Sequence, residues 1–405
     1  MLHFPHSVNG MTTSTLTCPA PVGPARPPLV TPALLIRFVS MLGSATSFYL
    51  LLSVVPAYAG GSSAGLMTGA LMLATVLGEL ATPRLVNRFG YRAVLAIGLF
   101  LLGAPALGLL ASSSAACIVI VCFLRGLGFA LAVVAGGAMT AALIPAERRG
   151  EGLAVAGIVA GVPAIVALPL GLWLVRHGGY PPVFIIAAAA ALIAIVTVRW
   201  LPGRSAGGAE TLGVLSGLRE PGLLRPAFVF ALSTMALGVF VTFLPLAVRA
   251  GGADVAAVAL LVNSAASTLV RWRAGKHGDR HGPAALLIPG VVAAALGVLA
   301  LALTSHPFAV LGGAIVFGAG FGVLQNASIA SMYARVPASG YGTVSALWNF
   351  AYDAGLGVGA VAFGVLVTHT GYPIAFAATA VLVLAGLPVA IRDRRYLGPQ
   401  PGHEA

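Results

Sequence analysis

Long apolar stretches alternate with short polar ones along almost the whole chain. A hydrocarbon core about 30 Å thick takes about 20 apolar residues of helix to cross. Stretches of that length predict twelve membrane spans, near residues 33–57, 63–86, 91–111, 115–143, 152–175, 182–201, 226–249, 254–273, 284–304, 307–335, 341–368 and 372–391. The pattern therefore predicts an all-α integral membrane protein with twelve transmembrane helices.

Composition and charge placement agree with a membrane protein. The chain is 59% hydrophobic and only 8% charged, which leaves little room for a soluble domain. A net charge of +12 can indicate a nucleic-acid partner, but most of the 22 Lys and Arg residues fall in the tails and alternate loops on one side. This is the positive-inside bias. It predicts a lipid bilayer and no nucleic acid as partner, and a cell-membrane protein with both termini in the cytoplasm.

The spans divide into two groups of six. Residues 33–201 are predicted to form an N-terminal six-helix bundle, and residues 226–391 a C-terminal one. The polar stretch 202–225 is expected to be a cytoplasmic linker. Residues 1–32 and 392–405 are expected to be cytoplasmic tails.

Short loop sequences recur six spans apart. Residues 87–90 after the second span read Asn-Arg-Phe-Gly, and residues 279–282 after the eighth read Asp-Arg-His-Gly. Likewise, residues 145–150 and 337–342 each begin with Pro and end with Gly. Such duplication is typical of secondary transporters, whose substrate site lies at the interface of the repeats. We therefore expect two six-helix repeats around a central cavity.

From residue 33 to 391 the chain resembles the major facilitator superfamily, which carries Gly-x-Leu-x-Asp-Arg-x-Gly-Arg-Arg after its second helix and a weaker copy after its eighth. The first copy here has Pro83 and Asn87 at the Gly and Asp positions, and keeps Leu85, Arg88, Gly90 and Arg92. The second copy keeps Gly275, Asp279, Arg280 and Gly282. The resemblance implies cytoplasmic gating loops, where carboxylate–guanidinium bonds latch the helices in one state.

The loop 145–150 and the Gly126-Leu127-Gly128 run on span four also resemble the drug-efflux branch of the superfamily. That branch carries an arginine where this chain has Cys122, and Arg125 lies close to the same helical face. The Gly-Pro element of the branch's fifth helix is recognisable but degraded in span five. The resemblance implies export by proton antiport and a monomeric protein.

Apart from residues at the span ends, four charged side chains are assigned to the interior of the spans: Arg37, Glu79, Arg125 and Asp353. Intramembrane charge is costly and marks a transport pathway or a buried pair. Arg37 lies near the start of span one and is expected to snorkel to the interface. Glu79 lies one turn before the Pro83 loop, so a role as a loop latch and a role in proton coupling are both open.

Asp353 is the first candidate for proton coupling, with Glu79 second. Burial in an apolar span favours the protonated form of a carboxylic acid, which could then load and release a proton. The rival interpretation for Asp353 is a fixed ion pair with Arg125 or another base. For Glu79 the rival is a pair with Arg84 or Arg88.

Polar side chains at depth should face other helices or water. Spans one, eight, ten and eleven are therefore expected to contribute to the central cavity, although half of these groups could simply bond to neighbouring helices. The cavity candidates are Tyr49, Arg125, Asn263, Gln325, Asn326, Asn349 and Tyr352.

The sequence favours transport over catalysis. Its Gly-x-Gly runs lie inside apolar spans, and neither a phosphate-binding loop nor a His-Glu-x-x-His motif occurs. We expect no cofactor, no metal site and no enzyme activity. The predicted function is proton-coupled efflux of small, partly apolar molecules, such as drugs or natural products, by alternating access. The alternative is a metabolite or sugar transporter of the same fold, working as an importer.

Overall fold

A computed structural model describes residues 31–61, 63–144, 149–201, 220–248, 253–337 and 340–396. Within these ranges the ordered elements are helices, with no strand. The helices are α1 Pro32–Ala59, α2 Ser63–Gly103, α3 Gly108–Ala111, α4 Ala115–Leu143, α5 Arg149–Gly178, α6 Tyr180–Val198, α7 Pro221–Ala247, α8 Ala253–His281, α9 Leu287–Ala300, α10 Pro307–Tyr333, α11 Tyr341–Leu384 and α12 Leu387–Tyr396, with 3-10 turns at Ala104–Leu107 and Pro283–Leu286. The N-terminal tail to residue 30, loop residues 145–148 and linker residues 202–219 lie outside the described residues.

Ten helical stretches of the described chain are long and apolar enough to cross a membrane. Two of them contain a sharp break. Helices α2 and α11 have 41 and 44 residues, which at about 1.5 Å per residue would be twice the thickness of a bilayer. Gly90 (φ 79°) interrupts α2 and Gly371 (φ 75°) interrupts α11. Divided there, the ten stretches give the twelve predicted segments, and the all-helical membrane fold is confirmed.

The internal repeat of the sequence is also present in the backbone conformation. Gly90 and Gly282 follow the second and eighth spans, and both have positive φ (79° and 84°), a conformation that glycine adopts without steric cost. Gly179 (φ 77°) and Gly371 (φ 75°) form a second such pair, and each begins a Gly-Tyr-Pro sequence. The two pairs have the same separation along the chain. The repetition therefore also covers the last two spans of each half, where no repeat was predicted.

The helices pack as two groups, which we call the N group (α1–α6) and the C group (α7–α12). In the N group, α2 lies against α4, and α1 against α5 and α6. In the C group, α7 lies against α11, and α8 and α9 against α10. Glycines permit these close approaches: a Cβ on Gly126 would come within 2.1 Å of the Leu71 carbonyl oxygen, and one on Gly318 within 2.4 Å of that of Asn263.

The two groups meet where α2 contacts α11 and where α5 contacts α8. Gly65 lies directly against Ala360, and Gly357 against Met72. The hydroxyls of Thr68 on α2 and Thr242 on α7 are 3.0 Å apart and share a hydrogen bond. These contacts lie towards the end of the bundle that is remote from the start of α1, which we call the remote end. The groups are therefore closed against each other there.

An exposed ion pair adds to this closure. Arg176, at the end of α5, binds the carboxylate of Asp254, at the start of α8. It joins the N group to the C group at the remote end, on the contact of α5 with α8. Both side chains are well exposed to solvent, so the pair contributes less than buried packing does.

Candidate functional site: the central cavity between the helix groups

Glu79 and Asp353 meet across the junction of the two helix groups. Glu79 lies on α2 and is half-buried, whereas Asp353 lies on α11 and is 6% exposed. Their carboxyl groups lie within hydrogen-bonding reach of each other. An ionised carboxylate only accepts hydrogen bonds, so a hydrogen bond between the two carboxyl groups requires a proton on one of them. The structure thus brings together the two residues predicted for proton coupling.

Packing of the two helices accounts for this meeting. Met72 and Gly357 bring the backbones of α2 and α11 close together. Glu79 lies about two turns after Met72, and Asp353 about one turn before Gly357. The carboxyl groups therefore lie just beyond the tight contact, on the side away from the remote end. The alternative pairing of Glu79 with Arg84 or Arg88 does not form.

Two tyrosines and an arginine surround the carboxyl pair. Tyr49 on α1 and Tyr352 on α11 are half-buried, and both interact electrostatically with Asp353 and with Arg271 on α8. Helices of both groups thus contribute to one polar region. We call this region, defined by Tyr49, Glu79, Arg271, Tyr352 and Asp353, the central cavity.

Arg271 is not among the site residues predicted from the sequence. It occupies the end of the predicted span 254–273 and is followed by Arg273 and Lys276, so its charge reads as part of a basic loop. In the structure, α8 continues to His281, which places Arg271 well inside a helix. One signal could have found it: Glu79 and Arg271 have the same separation along the chain as Gly90 and Gly282. They are equivalent positions of the two repeats.

The Arg271 side chain is exposed although it interacts with Tyr49 of the opposite group. Its Nη1 donates to Oε1 of Gln325 on α10 at 3.4 Å. Among the residues that the structure describes, no carboxylate lies within ion-pair distance of it. The exposed guanidinium shows that this polar region is accessible from the side away from the remote end.

Aromatic side chains form the wall of the C group. Trp348 stacks on Phe230 with ring centroids 4.5 Å apart, and Tyr352 lies 6.0 Å from Trp348. Trp348 Nε1 also donates to the Ser328 hydroxyl at 3.0 Å, which fixes the indole. Phe230 is fully buried, whereas Trp348 and Tyr352 are half-buried. Their accessible edges give the wall an apolar surface with polar tips.

Arg125 is not one of the residues that define the central cavity, but it lines a pocket together with Phe48 and Cys122. It is 2% exposed, and its guanidinium donates to the carbonyl oxygens of Ser47, at 2.8 Å, and of Leu102. These bonds join α4 to α1 and α2 within the N group. Arg125 makes no ion pair with Asp353 in this structure, so the pairing of these two residues is not observed.

Arg37 is also buried, which corrects its predicted snorkelling. It is 2% exposed, its Nε donates to the Gly136 carbonyl at 3.0 Å, and its Nη1 donates to the Ser40 hydroxyl at 2.8 Å. Gly136 leaves space for this: a Cβ there would fall 2.0 Å from a guanidinium nitrogen. The charge is retained at depth because backbone and hydroxyl oxygens replace water.

The remaining cavity candidates lie on three helices. Asn263 is 4% exposed and donates to the Ala314 carbonyl at 3.1 Å, so it joins α8 to α10. Asn326 on α10 lies beside Gly275 of α8. Gln325 and Asn349 are half-buried, and Asn349 lies one turn before Asp353 on α11. Of these four residues, only Gln325 is hydrogen-bonded to a residue that defines the central cavity, namely Arg271.

A match to a known protein family identifies the class of this protein. The family model described as Major Facilitator Superfamily matches residues 33–360 and 227–404. The chain belongs to the Major Facilitator Superfamily. It is therefore a multi-pass membrane transporter, as the resemblance in its loops implied.

Relatives within the superfamily extend over nearly the whole chain. An uncharacterized MFS-type transporter of Escherichia coli K12, YhhS, is 27% identical over 395 residues, which cover 93% of this chain and 96% of the relative. The chromaffin granule amine transporter of Rattus norvegicus is 25% identical over 301 residues, 71% of this chain and 57% of that protein.

Solved structures share the fold. A bacterial homologue of the human lysosomal transporter Spinster, in an inward-facing and occupied conformation, has a TM-score of 0.74 at 12% identity and covers 91% of this chain and 98% of its own. The nucleoside transporter NupG has a TM-score of 0.68 at 14% identity, covering 91% and 100%.

The superfamily loop motif is anchored within the N group. Arg92 donates to the carbonyl of Arg199 at the end of α6, and Gly90 provides the positive φ that turns the chain. Asn87 and Arg88 are exposed, and the Arg88 guanidinium lies 5.3 Å from the Phe89 ring centroid. In the second copy, the side chains of Asp279 and Arg280 lie outside the described part of the structure. A gating role for either loop stays a prediction.

Proposed function

We propose that this superfamily member is a proton-coupled secondary transporter that exports small, partly apolar molecules by alternating access. The proposal rests on one observation: the carboxyl groups of Glu79 in the N group and Asp353 in the C group lie within hydrogen-bonding reach of each other. A proton held between them belongs to both halves of the molecule. The affinity of the pair for this proton therefore depends on how the N group and the C group are arranged.

Separation of α2 from α11 breaks the shared hydrogen bond. Each carboxyl group is then exposed to water without its partner, and the proton that the pair held can dissociate. Re-forming the contact requires a proton again, because two carboxylates at hydrogen-bonding distance repel each other. Movement of the groups is thereby linked to proton uptake and release, which is the requirement for driving transport with a proton gradient.

The open side of the central cavity is the side from which an exporter would load its substrate. The groups are packed at the remote end, and Arg271 is exposed on the side of the superfamily motif loops. The positive-inside bias assigns that side to the cytoplasm. We therefore propose a cell-membrane protein with cytoplasmic termini, acting as a monomer whose N and C groups move against each other. In this state a molecule enters the cavity from the cytoplasm.

The lining of the cavity favours partly apolar molecules. The edges of Trp348 and Tyr352 offer aromatic surface, and Tyr49, Gln325 and Arg271 offer polar contacts. A hydrophilic sugar would instead require many convergent hydrogen-bonding groups around an aromatic platform. Drugs and natural products combine apolar area with a few polar groups, which fits this wall.

Drug accumulation in efflux-deficient bacteria tests the proposal. Cells expressing the chain should accumulate less of some antibiotics or dyes than control cells, and collapse of the proton gradient should abolish the difference. Glu79→Gln and Asp353→Asn should each abolish it at matched membrane levels, because an amide can keep the hydrogen bond but cannot exchange the proton. Glu220→Gln, which removes an exposed carboxylate outside the cavity, is the control and should leave export intact.

Export that survives both substitutions would reject the carboxyl pair as the coupling site. Export that survives collapse of the gradient would reject proton coupling altogether. Higher accumulation in cells that express the chain would show import and favour the metabolite-transporter alternative.

A further inference from the structure

We propose that Arg271 binds an anionic group of the transported molecule, so that the substrates are small aromatic or apolar anions. This deepens the proposed function, on which it rests for placing the substrate in the central cavity. Three independent features of the molecule carry it: the unpaired exposed guanidinium, its place in the repeat, and its surroundings.

A guanidinium at membrane depth is costly and is normally neutralised. Two other arginines in the spans show how this chain satisfies a buried guanidinium with hydrogen bonds. Arg37 and Arg125 are each 2% exposed and donate to backbone carbonyl oxygens at hydrogen-bonding distance. Arg271 is exposed, and its hydrogen bond goes to the neutral Gln325 at 3.4 Å. Within the described chain no carboxylate neutralises it, so an anion from solution would have an open partner.

The internal repeat gives Arg271 the position that Glu79 has in the other half. Equivalent residues of two parallel repeats lie at the same depth on opposite sides of the central axis. The carboxyl pair therefore lies on one side of the cavity and the guanidinium on the other. Since Arg271 and Asp353 are further apart than an ion pair, the two charged sites can be used separately.

The surroundings of Arg271 suit an anion with an apolar body. Tyr49 and Tyr352, one from each helix group, interact electrostatically with the guanidinium. The Trp348 ring lies 6.0 Å from that of Tyr352 and extends the aromatic surface on that side. A guanidinium binds a carboxylate with two parallel hydrogen bonds, and a ring attached to that carboxylate would lie along the aromatic wall.

Three indole compounds test this with charge as the variable: indole-3-acetate is an anion, indole-3-acetamide is neutral and tryptamine is a cation. Binding to the purified full-length protein in detergent is measured by calorimetry and by thermal stabilisation, without a proton gradient. Indole-3-acetate should bind most tightly. In Arg271→Gln its Kd should rise by about tenfold or more, as expected for loss of a hydrogen bond between charged groups.

Matched variants separate binding from folding. Arg273→Gln removes an exposed arginine two positions further on α8 and should leave the preference for indole-3-acetate intact. Arg271→Lys keeps the charge but not the two-pronged geometry, and should retain part of the affinity. The melting temperature of each ligand-free variant reports whether it is folded.

Equal or tighter binding of the amide or the amine would overturn the proposal, as would failure of indole-3-acetate to bind or a preference that survives Arg271→Gln. Displacement of indole-3-acetate by stoichiometric phosphatidylglycerol would assign Arg271 to a lipid headgroup and overturn it too. Because binding is measured without a gradient, the anion site can be upheld while proton-driven export fails, and the reverse.

Discussion

Arg335 and Asp393 form a two-pronged ion pair that ties the last helix to the bundle. Arg335 Nη1 lies 2.9 Å from Asp393 Oδ1, and Nη2 lies 2.7 Å from Oδ2. The side chains are only 9% and 0% exposed, and Arg335 also donates to the Gly222 carbonyl. The pair therefore joins the ends of α10 and α12 to the start of α7. Residues 392–396, predicted as the beginning of a tail, belong to a docked helix.

Loss of either member of this pair should destabilise the protein strongly. Arg335→Ala leaves the Asp393 carboxylate buried without a partner, which costs about 3–5 kcal/mol in comparable cases. We expect a clearly lower melting temperature in detergent, and the same for Asp393→Ala. The control is Arg394→Ala, an exposed position on the same helix, which should leave the melting temperature nearly unchanged.

The double variant Arg335→Leu with Asp393→Leu distinguishes burial of a lone charge from loss of the bond. Removing both charges relieves the uncompensated burial, so the double variant should melt above either single alanine variant. Two results would show that the ion pair is not what holds α12. One is a decrease in melting temperature of the double variant that equals the sum of the decreases of the two single variants, and the other is an Arg394→Ala variant as unstable as Arg335→Ala.

Arg125 should matter for stability and not for the choice of substrate. Its guanidinium donates to the Ser47 and Leu102 carbonyl oxygens and forms no ion pair with the carboxyl pair. Arg125→Gln leaves one or both buried carbonyls unpaired, at about 1–3 kcal/mol for each unsatisfied group. We expect a lower melting temperature with unchanged relative affinities for the three indole probes. Loss of the preference for indole-3-acetate in a stably folded Arg125→Gln variant would contradict this assignment.

The positions of the spans could be predicted because apolar length is a local property of the sequence. Each predicted segment corresponds to a helix or to a part of one, divided where Gly90 and Gly371 take positive φ. The exposed Asn87 and Arg88 also follow from the loop pattern. Loop similarity further indicated the superfamily, which the family comparison confirmed.

The partners of the intramembrane charges could not be predicted, because they depend on which helices pack together. Glu79 meets Asp353 only because Gly357 lets α11 approach α2. Arg125 is satisfied by carbonyl oxygens, a type of partner that has no signature in sequence. Arg271 was hidden by the basic residues that follow it, although its correspondence to Glu79 in the repeat was available.

Close packing at Gly65 should hold the remote end closed. A Cβ at this position would lie 2.3 Å from the backbone oxygen of Ala360, so α2 and α11 must move apart to admit it. Gly65→Ala should therefore destabilise the closed arrangement by about 1–3 kcal/mol, the usual cost of overpacking. Spin labels at Ser113 and Ser305, exposed positions of the N and C groups, report the change as longer distances once the three native cysteines are replaced.

Two variants show whether packing or charge closes that end. Gly137→Ala adds a methyl group with nothing within 4 Å and should leave the distances unchanged. Asp254→Asn breaks the pair with Arg176, whose exposed charges are worth at most about 1 kcal/mol, so it should lengthen the distances less than Gly65→Ala does. The opposite ranking would mean that the ion pair is the closing element, and high salt should then open the remote end as well, because salt screens exposed charges but not packed helices.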